Sequence, residues 1–593
     1  MAFNEDSRVK IPAILHLCRL GYQYIPRSQQ DRIEENNIFP ELFLNSISKI
    51  NGNLSEQEVQ KVLDEVSLKL KYNDLGREFY KSLVNTSGIK LIDFDNFNNN
   101  SFHVTTELTC KNGDEEFRPD ITILINGMPL VFIEVKKPNN KDGVLAERKR
   151  INKRFSLKAF NVFTNITQLM IFSNNMEYED GVVEPIMGAY YGTPSKEDVH
   201  FNYFREEENL DLTRLLQPEN QDLENLILKD NNIVAIKHTD EFITNKDYNK
   251  PTNRILTSLL SKERLAFILQ YTIAYLDEEK ADGTKEIQKH IMRYPQIFAT
   301  KAIARKLDED VKKGIIWHTQ GSGKTALAFY NVKFLTDYYQ KKNTIPKFYF
   351  IVDRLDLAIQ ANNEFSKRGL LVKMVNSRAE FVADMKKVGA LQNNSGELEI
   401  TVVNIQKFTE DSTVIEKIDY DLNIQRVFFI DEAHRSYNPK GSYLVNLLKS
   451  DQDSVKIALT GTPLLKEVAK QYDSKLIFGD YIHKYYYNSS IADGYTLRLI
   501  REAIATKYSM QMKDIIDQIK VLKGDISKSE IFAHSKFAEP MLDYILEDLY
   551  SFREYWQDDS LGGMVVCDSA DQARELFKFF EKKFGKQETE SVK

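Results

Sequence analysis

The sequence predicts an α/β protein of several domains: a mixed α/β domain, then a lobe on a parallel sheet, then the start of a second such lobe. Three observations predict it. At 593 residues the chain is too long for one hydrophobic core. In its second half it repeats short apolar run, loop and helix, as in "GIIWHTQGSGKTALAFYNVKFL", "KFYFIVDRLDLAIQANNEF" and "RVFFIDEAHRS". Runs rich in Ile, Val, Phe and Leu are what strands buried on both faces of a parallel sheet look like. Ahead of that rhythm, "RPDITILINGMPLVFIEVKKP" sets Asn126-Gly127 between two apolar runs, a strong hairpin signal.

The elements follow in order. "RVKIPAILHLCRLGYQYI" has helical apolar spacing and stops at Gly21. "NLSEQEVQKVLDEVSLKL" is a second amphipathic helix, with Ser55 as N-cap and Glu58 three residues on, a capping-box pattern. "SFHVTTELTC" and the two halves of the hairpin read as strands. Residues 202–253 turn polar and read as helices and connectors ending near Pro251. "LEITVVNIQKF" and "VKIALTGTP" add strands to the parallel sheet, and "GGMVVCDSADQARELFKFF" reads as a strand and helix opening the second lobe. We place the domains at 1–245, 246–468 and 469–593.

Composition narrows the function classes. Hydrophobic residues at 42% and charged residues at 28% describe an ordinary folded protein. No apolar run reaches membrane-spanning length, and "MAFNEDSRVK" lacks the pattern of a secretory signal. Cys18, Cys110 and Cys567 are scattered thiols without metal-ligand spacing. They fit a reducing cytoplasm and argue against a disulfide framework or a zinc site. With a net charge of −7, any polyanion must be met by local basic patches.

"WHTQGSGKT" predicts a phosphate site. Gly321 and Gly323, in a loop completed by Thr319, Gln320 and Ser322, let backbone amides close around phosphate oxygens. The helix beginning near Lys324 points its positive end at them. Lys324 reaches the outer phosphates and the Thr325 hydroxyl holds Mg²⁺. The pattern wants glycine at its first position, where this chain has His318. "FFIDEAHRS" carries Asp431 and Glu432 to the carboxyl end of a strand, where α/β sheets bind ligands. Asp431 suits Mg²⁺, and Glu432 suits the water that attacks a γ-phosphate. ATP and Mg²⁺ are therefore the expected cofactors.

The hairpin raises a question of register. A plain two-residue turn pairs Asp120 with Ile133 and puts Asp120 on the face opposite Glu134. A three-residue turn, with Gly127 left-handed in a bulge, sets Asp120 against Phe132 instead. Asp120, Glu134 and Lys136 then project from one face, and we expect such a bulge. Two carboxylates there suit Mg²⁺, Lys136 suits the attacking water and the developing negative charge, and Arg118 suits a phosphate contact. Spacing alone leaves a surface salt-bridge cluster equally open.

The order of "DEAH", "LTGTP" and "IVDRLDLAIQ" resembles a superfamily 2 helicase or translocase motor with RecA-like lobes. That resemblance implies that Thr460 and Thr462 couple nucleotide state to DNA and that Arg354 touches a DNA backbone. It also implies that "MRYPQIFA" reads adenine through Gln296. The hairpin resembles the Asp…Glu-x-Lys core of restriction-endonuclease-like nucleases. Together with "RYPQIFATKAI" and "FGDYIHKYYYNSSIADGYTL", the chain over nearly its whole length is similar to the restriction subunit of type I restriction–modification enzymes. The resemblance implies ATP-driven translocation of double-stranded DNA, cleavage of unmethylated DNA, and methyltransferase (M) and specificity (S) partner subunits.

Two features depart from that pattern. "LAERKRINKRFSLK" lacks the glutamine and tyrosine the family often places after the Glu-x-Lys. It offers instead Arg148, Lys149, Arg150, Lys153, Arg154 and Lys158, a basic helical stretch suited to DNA phosphates. Glu5 is the nearest candidate for a glutamate the family tends to carry on its first helix. No Gln-x-x-Gly-Arg-x-x-Arg follows "GGMVVCDS", so we expect an N-terminal fragment that binds ATP but turns it over poorly. A helicase–nuclease of DNA repair, and a DNA-remodelling motor with an inactive nuclease-like clamp, stay open as alternatives.

Overall fold

The computed structural model describes residues 5–85, 87–112, 115–136, 143–176, 189–195, 199–280, 283–386, 397–405, 423–433, 451, 453–463, 474–497, 506–523 and 527–585. The chain divides into two compact units, Met1–Leu497 and Arg498–Lys593.

The first unit holds two seven-stranded sheets. In the first sheet, strand order follows the chain: Gln23–Tyr24, Phe102–Thr106, Ile121–Ile125, Met128–Val135, Leu169–Ser173, Ala189–Gly192, Asn202–Tyr203. It is mixed: the hairpin is antiparallel, while Met128–Val135 runs parallel to Leu169–Ser173. The helix Ile11–Arg19 and the Ser55 capping box of Glu56–Lys69 form as expected, and Pro251 opens a new helix, Pro251–Leu260.

All eight residues of Met128–Val135 are buried, because layers cover both faces of this central strand. Val131, Ile133 and Val135 enter the large core, which also takes Val9, Leu17 and Ile123. Phe132 faces the other way, into a cluster with Ile151, Phe155, Met170 and Phe172. Ile151 and Phe155 belong to helix Gly143–Ser156, so the basic stretch covers the face that carries Phe132 and, two residues on, Glu134.

The turn corrects the expected bulge. Ile125 pairs with Met128, and Asn126 and Gly127 take φ of 50° and 79°, the pattern of a two-residue turn with both central residues left-handed. The register shift lies inside the strand instead. Leu124 pairs with Pro129 but Ile123 pairs with Val131, leaving Leu130 as the extra residue. Proline brings no N–H to a ladder, and a bulge is where a strand interior tolerates it. The shift is one residue in the opposite sense to the expected one: Ile121 pairs with Ile133, and Asp120 is the residue just before the strand, next to the end of this ladder. The Asp120 carboxylate reaches the partner strand by a bond from the Val135 N–H.

The second sheet is parallel throughout, in the order Leu371–Val375, Glu399–Asn404, Ile345–Val352, Ile424–Asp431, Val455–Thr460, Lys313–His318, Tyr481–Tyr485. Phe350, Phe429 and Leu459 pack into the large core, and Tyr349, Phe428, Ile430 and Ala458 pack on the opposite face. Strand Tyr481–Tyr485 pairs with Lys313–His318, so the sheet runs past residue 468, where the sequence placed the end of the lobe. An aromatic run, "YIHKYYY", carries no signal that says which sheet it joins.

In the second unit the helices Thr506–Lys523, Ser535–Trp556 and Ala570–Phe584 form. The strand expected in "GGMVVC" does not: Met564 and Val566 are 88% and 80% exposed. A strand needs a ladder partner, and the described residues of this unit supply helices. Among the described residues, no helix is long and apolar enough to cross a membrane.

Candidate functional site

The strand ends of the two sheets build two sites. At the first, Val135 donates its backbone N–H to Asp120 Oδ2 at 2.9 Å, which pins the Asp120 carboxylate across the hairpin beside Glu134. Lys136 Nζ donates to Glu134 Oε1 at 2.6 Å. Burial pushes the Asp120 carboxyl above the usual range, against the pull of Lys136, the Val135 N–H and Lys10. Burial also raises Glu5, whose field includes Lys136 and Asp120, so the first helical turn brings a third carboxylate toward the pair.

Two neighbours escaped the sequence reading. Lys10 is buried and paired to Glu107, and both act on the Asp120 charge. Glu107 holds φ of 51°, and its N–H meets the Asp120 carbonyl at 3.4 Å. Neither residue sits in a motif, so only the fold could find them. Glu5, Glu107, Asp120 and Glu134 thus outnumber Lys10 and Lys136. A buried carboxyl with a raised pKa beside a second carboxylate is a donor set suited to a divalent cation. Among the described residues no group of three or more His, Cys, Asp or Glu is set to hold a metal by itself, so the fit rests on Asp120 and Glu134.

The expected DNA contacts are spread around this site. Arg118 is exposed, 3.4 Å from Glu116. On helix Gly143–Ser156, Lys149, Arg150 and Lys153 are exposed, while Arg154 lies 4.7 Å over the Phe117 ring. The Arg148 and Lys158 side chains lie outside the described residues.

At the second site, Gly321 and Gly323 take φ of 77° and 80°, as a loop that turns its amides inward requires. Gly323 caps the helix Lys324–Gln340, and Thr325 stands in its first turn. Ser322 Oγ donates to the Thr319 carbonyl at 2.6 Å, closing the loop. Lys324 Nζ lies 3.5 Å from the His318 and Thr319 carbonyls, bonds long enough to be exchanged for phosphate oxygens. Burial lowers the Lys324 pKa while Asp431 and Glu432 raise it. Gln296 accepts from Arg293 N–H and donates to the Gly323 carbonyl, both at 2.9 Å. Arg293 also donates to the Gly321 carbonyl at 3.1 Å, a contact the sequence reading missed.

Asp431 ends its strand with its carboxyl pushed up to about 6, first by burial and then by Glu432 and the buried Asp353, against Lys324. Such a group gains from a bound divalent cation, and Asp431 is a residue here that could hold one. Glu432 takes φ of 48°, a strained value for a residue with a side chain. Its N–H donates to Asp431 Oδ1 at 3.0 Å. Thr460 is buried and accepts from Thr462 N–H at 3.1 Å, while Thr462 is exposed. Between them, a side-chain carbon on Gly461 would stand 3.3 Å from Gln320 N and the His318 carbonyl, so this loop lies against the phosphate loop. Arg354 is exposed and caps helix Leu355–Lys367. His434 and Arg435 lie outside the described residues.

Residues 2–179 match the family model described as type I restriction enzyme R protein N terminus. The N-terminal region is thus similar to that family. Residues 295–531 match the SWI2/SNF2 ATPase model, so an R-protein region stands before an ATPase region in one chain. The chain is 27% identical to the "Putative type I restriction enzyme MjaIXP endonuclease subunit" of Methanocaldococcus jannaschii, over 98% of this chain and 55% of that protein. It is 24% identical to the "Type I restriction enzyme SauCOLORF180P endonuclease subunit" of Staphylococcus aureus, over 98% of this chain and 56% of that protein. The chain spans about half the length of these curated relatives. "The fragment structure of a putative HsdR subunit of a type I restriction enzyme from Vibrio vulnificus YJ016" covers 81% of this chain and 70% of its own, at 15% identity and a TM-score of 0.29. The fold assignment rests on the two sheets themselves.

Proposed function

We propose that this chain is the nuclease and motor portion of a type I restriction subunit. It acts in the cytoplasm with methyltransferase and specificity subunits, translocates double-stranded DNA with ATP, and cuts unmethylated DNA. The observation that carries the reading is the meeting at the hairpin's end, with Asp120 held by the Val135 N–H and Lys136 bonded to Glu134, in a chain that also matches an ATPase model.

In this reading Asp120 and Glu134 hold Mg²⁺ at the hairpin, and Thr325 and Asp431 hold it at the phosphate loop. The cation supplies Lewis-acid polarisation of a phosphate and a lowered pKa for bound water. Lys136 orients the attacking water and faces the negative charge that grows on the scissile phosphate. The exposed Lys149, Arg150 and Lys153, with Arg118, hold the DNA backbone over that face. Lys324 and the loop amides bind the ATP phosphates, Gln296 reads the base, and Glu432 takes a proton from the hydrolytic water. Thr460 and Thr462, packed beside the phosphate loop, pass the nucleotide state to DNA held near Arg354. We take 1–245 as the nuclease and its connector, and extend the first motor lobe through the strand Tyr481–Tyr485, which pairs with Lys313–His318.

The test is cleavage of methylated and unmethylated circular plasmid by the complete protein with its M and S subunits, ATP and Mg²⁺. Wild type cuts only the unmethylated plasmid, and Lys136→Ala loses cutting while hydrolysing ATP. Equal cutting by Lys136→Ala would remove the nuclease from this hairpin. Cutting without regard to methylation would favour the repair helicase–nuclease.

A further inference from the structure

His318 fills the place where the phosphate-loop pattern has glycine, and its ring is buried. Burial, with His483 and Lys324 near, drives its pKa well below the ordinary value, so the ring is neutral. Its Nε2 lies 2.7 Å from His483 Nδ1, and His483 Nε2 lies 2.5 Å from Glu207 Oε2.

The direction of these bonds follows from what each end can do. A carboxylate only accepts, so His483 Nε2 carries a proton and donates to Glu207. His318 Nδ1 is buried with no hydrogen-bond partner among the described residues. A buried N–H without an acceptor is costly, so the single His318 proton belongs on Nε2, donated to His483. One polarised chain thus runs from His318 through His483 to Glu207. It starts in the phosphate loop, passes through the edge strand Tyr481–Tyr485, and ends just after the last strand of the first sheet, Asn202–Tyr203.

A second set of bonds ties the same parts. The buried Asp493 accepts from Tyr485 Oη at 2.7 Å, Tyr294 Oη at 2.6 Å and Arg205 Nε at 2.9 Å. Tyr294 opens the helix that carries Gln296, and Arg205 lies two residues before Glu207.

We propose that His483 and Glu207 are positioning residues of the ATP site, acting through His318. They hold the first residue of the phosphate loop, whose carbonyl meets Lys324 Nζ and the Gly461 position, in the conformation that receives the phosphates. The segment that follows the first sheet thereby contributes a carboxylate to the support of the nucleotide loop. The proposal rests on the reading of that loop as an ATP site.

The experiment titrates the whole protein with a fluorescent methylanthraniloyl ATP and measures KM and kcat for ATP. His483→Phe keeps the ring and removes both bonds. It is expected to weaken nucleotide binding about five- to tenfold and to raise KM by a similar factor, while kcat stays within about twofold. Glu207→Leu is expected to weaken binding in the same direction, and Glu207→Gln, which keeps an acceptor, to bind as wild type does. The pair His483→Phe with Glu207→Leu is expected to bind no more weakly than His483→Phe alone, since a chain breaks once. Unchanged binding in His483→Phe, or fully additive losses in the pair, would overturn the proposal. Glu207 is partly exposed, so Glu207→Leu decides the matter even where His483→Phe folds poorly; wild-type binding there counts against the chain. Lys324→Ala separates the two levels. Wild-type nucleotide binding by Lys324→Ala would fell the ATP-site reading itself, whereas loss there with normal His483→Phe fells only the positioning chain.

Discussion

Asp120 accepts a hydrogen bond from the backbone of Val135, 15 residues further along the chain and 2.9 Å away. An asparagine at 120 offers the same oxygen to the same N–H and removes only the charge. Asp120→Asn is therefore expected to fold as wild type does, with a circular-dichroism melt within a few degrees. DNA cleavage is expected to fall by about 10²–10⁴-fold with ATP hydrolysis retained. Undiminished plasmid cutting would show that this carboxylate is structural.

The phosphate-loop acid makes a pH prediction. Burial raises Asp431 from an ordinary 3.8 to about 6, so the folded state holds its proton more tightly than the unfolded chain. The cost of ionising it is absent below about pH 4, grows between 4 and 6, and is complete above 6. Without nucleotide, Asp431→Asn is expected to be more stable than wild type at pH 7.5, by at most about 3 kcal/mol, with the gap closing toward pH 4. Denaturant melts at several pH values measure it. A gap that widens on acidification would contradict the buried-carboxyl account.

Helix Pro40–Ile50 begins against the hairpin turn. Phe39 N–H donates to the Gly127 carbonyl at 2.9 Å, and a side-chain carbon on Gly127 would stand 2.7 Å from both Phe39 O and Phe43 N. Gly127 also holds φ of 79°. Gly127→Ala is expected to destabilise the first unit by about 2 kcal/mol or more, through both contact and conformation. A melt within a degree of wild type would mean that the turn and helix part easily.

The exposed Arg150 and Lys153 make a prediction about salt. In Arg150→Gln with Lys153→Gln, the slope of log affinity for duplex DNA against log salt is expected to fall by about one for each phosphate no longer neutralised. Cleavage at saturating DNA is expected to persist, because both residues are assigned phosphate contacts and neither a part in the chemistry. An unchanged slope would leave the basic face without a role in DNA binding.

Much of the fold was legible because its signals are local. The buried strands of the parallel sheet announce themselves as apolar runs, and Ser55 with Glu58 makes a cap within four residues. The phosphate loop, the acids at 431 and 432 and the hairpin acids are likewise short patterns readable from neighbouring residues. What sequence could not place depends on distant partners. The destination of strand Tyr481–Tyr485 is set by the open edge of Lys313–His318, far away in sequence. The strand expected at "GGMVVC" had the right residues and no ladder to join. Lys10 and Glu107 reach Asp120 only through the packing of the first helix. The bulge itself was deducible from the need to share a face, but its position turned on Pro129, whose missing N–H the turn signal outweighed.

Leu130 gives the hairpin a rule about length. Side chains alternate along a strand, so this one unpaired residue decides whether the chain beyond it presents its acid and lysine to the basic helix or to the large core. Deleting it would invert Glu134 and Lys136 while leaving every residue type in place. Insertions and deletions between Asp120 and Glu134 should therefore survive among relatives in twos, and a lineage that has lost one residue here should have lost cutting before it lost its shape.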